Sequence, residues 1–86
     1  MSDMPAITGK QLIRLLRKDG WEIRRKVNHG ISLSKYHPNH NRVLVTCVPD
    51  KNRELSKNTL GMILSPNQSR IGRKGLKKLI DTHGLD

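Results

Sequence analysis

Apolar residues recur at every third or fourth position through "AITGKQLIRLLRKDGW", and from Trp21 onward at about every second position. The first spacing is that of one face of a helix, the second that of one face of a strand. Leu12, Ile13, Leu15 and Leu16 form the helical stripe, while Lys10, Arg14, Arg17 and Lys18 face water. Thr8 stands where an N-cap belongs, Gln11 completes a capping box, and Ile7 is placed to staple Leu12. Gly20 supplies a left-handed stop, so a helix is expected over 9–18.

In "WEIRRKVNHGISLSKY" the alternation puts Trp21, Ile23 and Arg25 on one face of a strand, with Glu22, Arg24 and Lys26 on the other. A turn around Asn28 or Gly30 leads to a second strand, in which Ile31 and Leu33 alternate with Ser32 and Ser34. "HPNHN" is a turn by composition. "RVLVTCVP" is the most strand-like segment of the chain, and Pro49 ends it. Ser56 then caps a second helix, with Leu55 stapled to Leu60 and a stripe of Leu60, Ile63 and Leu64 that Pro66 terminates. Leu76, Leu79 and Ile80 predict a short third helix, weakened by Gly72 and Gly75 and closed before Gly84.

Helix, three strands, helix, with a short basic C-terminal helix, reads as an α+β fold. Short connections make the strands an antiparallel meander, and the helices should cover one of its faces and leave the other wet. A chain of 86 residues suffices for one domain, expected to span 1–86, with a loose N-terminal arm over 1–6 and a basic C-terminal extension over 66–86. The core must be aliphatic, because Phe is absent and Trp21 and Tyr36 are the only aromatic residues. That scarcity also argues against a stacking platform for single-stranded nucleic acid.

Charge narrows the choice of partner. The chain carries 17 Lys and Arg against 7 Asp and Glu, a net charge of +10, which favours a polyanion through counterion release and steering. No cationic amphipathic segment with a broad apolar face suggests a membrane surface, and no apolar run suggests a span or signal peptide. The single Cys47 has no intramolecular partner, which fits the reducing cytoplasm.

Candidate chemistry centres on histidine. His37, His40 and Cys47 lack the second ligand pair that a zinc site needs, so no metal or other cofactor is expected, and His83 falls at the chain end. No carboxylate pair, nucleophile elbow or phosphate-binding glycine loop is present. His29 differs, because it lies at a strand corner directly after Arg24, Arg25 and Lys26. RNA cleavage needs a base for the 2′-hydroxyl, an acid for the leaving 5′-oxygen and cations for the phosphorane, and imidazole suits either proton-transfer role. A hairpin-turn histidine bonded to backbone explains the same spacing, and on the residues alone it is the simpler reading.

"TGKQLIRLLRKDGWEIRRKVNHGISL" followed by "VTCVPDKNRELSKNTLGMIL" resembles the HicA-type toxins of toxin–antitoxin pairs, which are small mRNA interferases; the similarity covers residues 8–64. The resemblance implies a fold like that of a double-stranded-RNA-binding domain, α-β-β-β-α with both helices on one face. It further implies a metal-independent endoribonuclease acting on mRNA and a HicB-type antitoxin as partner. The family's catalytic histidine falls on His29, with Arg24, Arg25, Lys26, Asn28 and Lys10 as the expected RNA-binding residues. Where the family has Gly-Ser before the histidine this chain has Val27-Asn28, and the frequent second histidine is Gly30. Two alternatives remain at this stage: an RNA-binding module of the same fold without catalysis, and a basic interaction protein for an acidic partner.

Overall fold

A computed structural model describes residues 5–39 and 41–85. Residues 1–4 of the expected N-terminal arm and His40 of the "HPNHN" turn lie outside the described residues. The elements run α1 (Gly9–Lys18), β1 (Glu22–Val27), β2 (Gly30–His37), β3 (Arg42–Val48), α2 (Lys57–Ile63) and α3 (Gly72–His83). This is the expected α+β order. The strands form one antiparallel sheet in the order β1-β2-β3.

Every backbone N–H in the first turn of α1 has an acceptor, which explains where the helix starts. The capping box forms as the sequence predicts, with Gln11 N–H donating to Thr8 Oγ1 at 3.1 Å and Thr8 N–H donating to Gln11 Oε1 at 3.0 Å. The remaining two donors turn to the segment after β3: Gly9 N–H reaches Arg53 O at 3.3 Å and Lys10 N–H reaches Lys51 O at 3.1 Å. Leu55 N–H donates to Ile7 O at 2.8 Å, and an isolated bridge pairs Thr8 with Glu54. Residues 51–55 therefore run alongside the start of α1. Gly20, with φ +99°, makes the left-handed turn out of the helix.

The helices cover one sheet face. Ile31 and Leu33 of β2 and Leu44, Thr46 and Val48 of β3 are buried under them, while Val43, Val45 and Cys47 point to the open face. The core is aliphatic, built on Ile7, Leu12, Leu15, Leu16, Leu60 and Ile63, with Trp21 as its one ring. The third helix, expected as a short appendage, has twelve residues and packs on α1, and Leu76 is fully buried. Thr46 is buried on the helix side of β3 and donates to Gln68 Oε1 at 2.7 Å, and buried Ser69 donates to Ile63 O at 2.6 Å, so the link between α2 and α3 is tied to the sheet.

One expectation fails on a local irregularity. The pairing of β1 with β2 steps from Ile23↔Leu33 to Arg25↔Ser32, which leaves Arg24 as a bulge. Strict alternation would put Arg25 beside Ile23 and Lys26 on the opposite face. The extra residue reverses both: Arg25 lies opposite Ser32 on the open face, and Lys26 lies opposite Ile31 on the helix side.

Gly9 and Gly30 test what holds these pieces together. A Cβ at Gly9 would overlap Pro49 O, and one at Gly30 would overlap Val48 O, both backbone atoms that cannot step aside. Gly61 in α2 has nothing within 4 Å of the corresponding position. Gly9→Ala is therefore expected to destabilise the protein by roughly 1–3 kcal/mol, whereas Gly61→Ala should stabilise it by about 0.4–1 kcal/mol. Urea denaturation of the two variants checks the opposite signs.

Candidate functional site

The turn between β1 and β2 consists of Asn28 and His29, flanked by the last pair of the ladder, Val27↔Gly30. His29 is exposed at this tip. Gly30 places the tip against the chain leaving β3, because a Cβ there would strike the backbone of Val48 and crowd Pro49 Cα, and only a residue without a side chain permits so close an approach. Gly9 is held equally close to the same segment, where a Cβ would strike Pro49 O. Three separate parts of the sequence thus meet at residues 48–51: the start of α1, the hairpin tip and the loop after β3.

The space between the tip and the loop is a cleft of ≈ 290 Å³ lined by residues 26–30 of the hairpin, Lys26 to Gly30, and by Asp50 and Lys51. Two lysines and a histidine thus line a small open cleft together with one aspartate. That carboxylate is already engaged, since Lys10 Nζ lies 3.0 Å from Asp50 Oδ1 across partly exposed side chains. The pair contributes about 1 kcal/mol or less, and its larger effect is to hold Asp50 against α1. What remains is a cleft whose charge, set by Lys26 and Lys51, is positive beside the His29 imidazole, chemistry that suits an anionic ligand.

The residues singled out in the sequence are only partly brought together. Lys26, Asn28 and His29 line the cleft. Lys10 stands behind it, joined through Asp50. Arg24 occupies the bulge and Arg25 the open sheet face, so the run of three cations that precedes His29 in sequence does not converge on it. Lys51 and Asp50 were not legible as site residues. They reach the cleft only because Gly9 and Gly30 draw the loop inward, a long-range contact that local spacing does not encode.

The departure at Val27-Asn28 costs the backbone nothing. Val27 sits in regular strand pairing, and none of residues 27–29 has positive φ, the positive values among the described residues falling at Asn41, Arg70, Gly20, Gly72 and Gly84. No glycine freedom is needed there. Gly30 is the position with a requirement, since any side chain would strike Val48 O.

Comparison with known proteins agrees with this architecture. A model of the family "HicA toxin of bacterial toxin-antitoxin" matches residues 9–80, from the first residue of α1 to within three residues of the end of α3 at His83. No curated protein and no solved structure matches. The family match takes in α3 as well as the helix and strands around the cleft, and so the chain belongs to the HicA toxins, partners of an antitoxin in bacterial toxin–antitoxin systems.

Proposed function

We propose that this toxin is a metal-independent endoribonuclease of the cytoplasm that cleaves mRNA at the His29 cleft, and that its antitoxin is a HicB-type protein. The observation that carries the reading is that His29, exposed at the hairpin tip, lines one cleft together with Lys26 and Lys51.

Cleavage by these groups needs no electrophile beyond the lysines. A phosphodiester seated between Lys26 and Lys51 has its negative charge matched, and the match strengthens as the phosphorane gains charge. His29 accepts the proton of the 2′-hydroxyl as the 2′-oxygen attacks phosphorus. The 5′-oxygen leaves and takes a proton from a lysine ammonium, of which Lys51 is on the loop side of the cleft. A cyclic phosphate remains on one fragment and a 5′-hydroxyl on the other. Asn28 is next to His29 in the turn and offers an amide donor to a phosphate oxygen. Lys10 acts from behind Asp50, while Arg24 and Arg25 lie along the sheet, where they meet RNA beyond the scissile bond. An acidic antitoxin surface matches the +10 charge as readily as RNA does.

Two experiments follow from this arrangement. Purified protein is expected to degrade RNA in excess EDTA, with His29→Ala slower by at least about 100-fold; equal decay by the two proteins would remove His29 from the chemistry, and a requirement for added metal would remove the mechanism. Lys51→Gln should slow initial cleavage by roughly 10-fold or more, and Arg24→Gln by only a few-fold, because Lys51 lines the cleft and Arg24 does not. Initial rates on one RNA substrate compare the two, and the reverse ranking would place the reacting phosphate on the sheet.

A further inference from the structure

The cations of α3 serve no purpose at the His29 cleft, and they sit where they weaken their own helix. Arg73, Lys74, Lys77 and Lys78 are exposed along one side, while Leu76 turns fully into the core and Leu79 and Ile80 pack at its edge. Arg73 with Lys77, and Lys74 with Lys78, are like charges four residues apart, a spacing that destabilises a helix. Arg73 and Lys74 stand in the first turn, where the helix dipole disfavours positive charge. That turn has no acidic residue and no side-chain cap. Among the described residues no carboxylate forms an ion pair with Lys74, Lys77 or Lys78. Solubility alone is better served by mixed signs. Three local choices against helix stability on one surface point to a ligand that repays them.

We propose that this side of α3 is a second RNA site, which grips the phosphate backbone away from the cleavage cleft. The inference rests on RNA being the substrate. The chemistry of the surface selects a polyanion over other partners. Its exposed residues are Arg73, Lys74, Lys77 and Lys78 with Asp81 and Thr82, and the aliphatic Leu79 and Ile80 beside them are half-buried against the core, so no fully exposed aromatic or aliphatic side chain of α3 offers the anchor of a protein hot spot or a membrane surface. The helix that α3 packs on extends the field, since Arg14, Arg17 and Lys18 are exposed on α1. None of these residues lines the His29 cleft, so grip and cleavage are separable. Backbone contacts carry no base readout and set affinity rather than cleavage preference.

The variant Lys74→Gln/Lys77→Gln/Lys78→Gln tests this with the full chain. Glutamine keeps helix propensity and removes the repulsion, so its Tm should equal or exceed that of the wild type. Fluorescence anisotropy with a 2′-O-methyl RNA, which lacks the attacking hydroxyl, measures binding without cleavage. The expected result is affinity weakened by about 10-fold at ~150 mM salt and a log–log salt slope shallower by about 2. A folded variant with the wild-type affinity and slope would overturn the site, and if the wild type still cleaves RNA, the cleavage reading stands without it. Loss of affinity in a chain that cleaves nothing supports the site and overturns the nuclease. Retained RNA affinity with lost affinity for poly-glutamate would assign the surface to an acidic protein and overturn the proposal.

Discussion

Two glycine contacts with one peptide segment organise the functional end of this protein. Gly9 lies on Pro49 O and Gly30 on Val48 O, each closer than any residue with a Cβ permits. The first contact lets α1 direct the N–H groups of Gly9 and Lys10 to the carbonyls of Arg53 and Lys51. The second lowers the hairpin tip onto the same loop. Backbone hydrogen bonding, helix placement and the floor of the His29 cleft are therefore parts of one constraint. The helix and the site share a residue pair: Lys10 leaves the first turn of α1 and holds Asp50 at the cleft wall.

That constraint explains which parts of the molecule were legible in the sequence. Local signals held where local chemistry decides. Thr8 with Gln11, Ser56 and Gly20 marked the helix ends, and the alternation in "RVLVTCV" marked β3 with its buried Leu44, Thr46 and Val48. The bulge at Arg24 was not legible, because nothing in "EIRRKV" signals an unpaired residue, and it moved Arg25 and Lys26 to the faces opposite to those alternation gives. Lys51 was missed for a different reason. It comes to His29 through contacts between residues far apart in the chain, and only Gly9 and Gly30 hint at them, each reading in isolation as an ordinary helix start or turn. The weight of α3 was also underread: Gly72 and Gly75 lower its propensity, but burial of Leu76 against the core outweighs that cost.

The charge divides by position. Lys26 and Lys51 share a cleft with an imidazole, and on the proposed reading they act at one phosphate. Arg73, Lys74, Lys77 and Lys78 are exposed together on α3, away from that cleft, and on the proposed reading they serve attraction alone. The substitution of Val27-Asn28 for the family's Gly-Ser leaves the tip intact, because the strand pairing at Val27 and the negative φ angles of the turn accept ordinary residues.

The central claim is that the His29 cleft cleaves RNA through the 2′-hydroxyl. End-group analysis of the fragments released in EDTA tests it most directly. The account predicts a 2′,3′-cyclic phosphate on one fragment and a 5′-hydroxyl on the other, with an RNA that is 2′-O-methylated throughout left whole; fragments ending in a 3′-hydroxyl and a 5′-phosphate would contradict it.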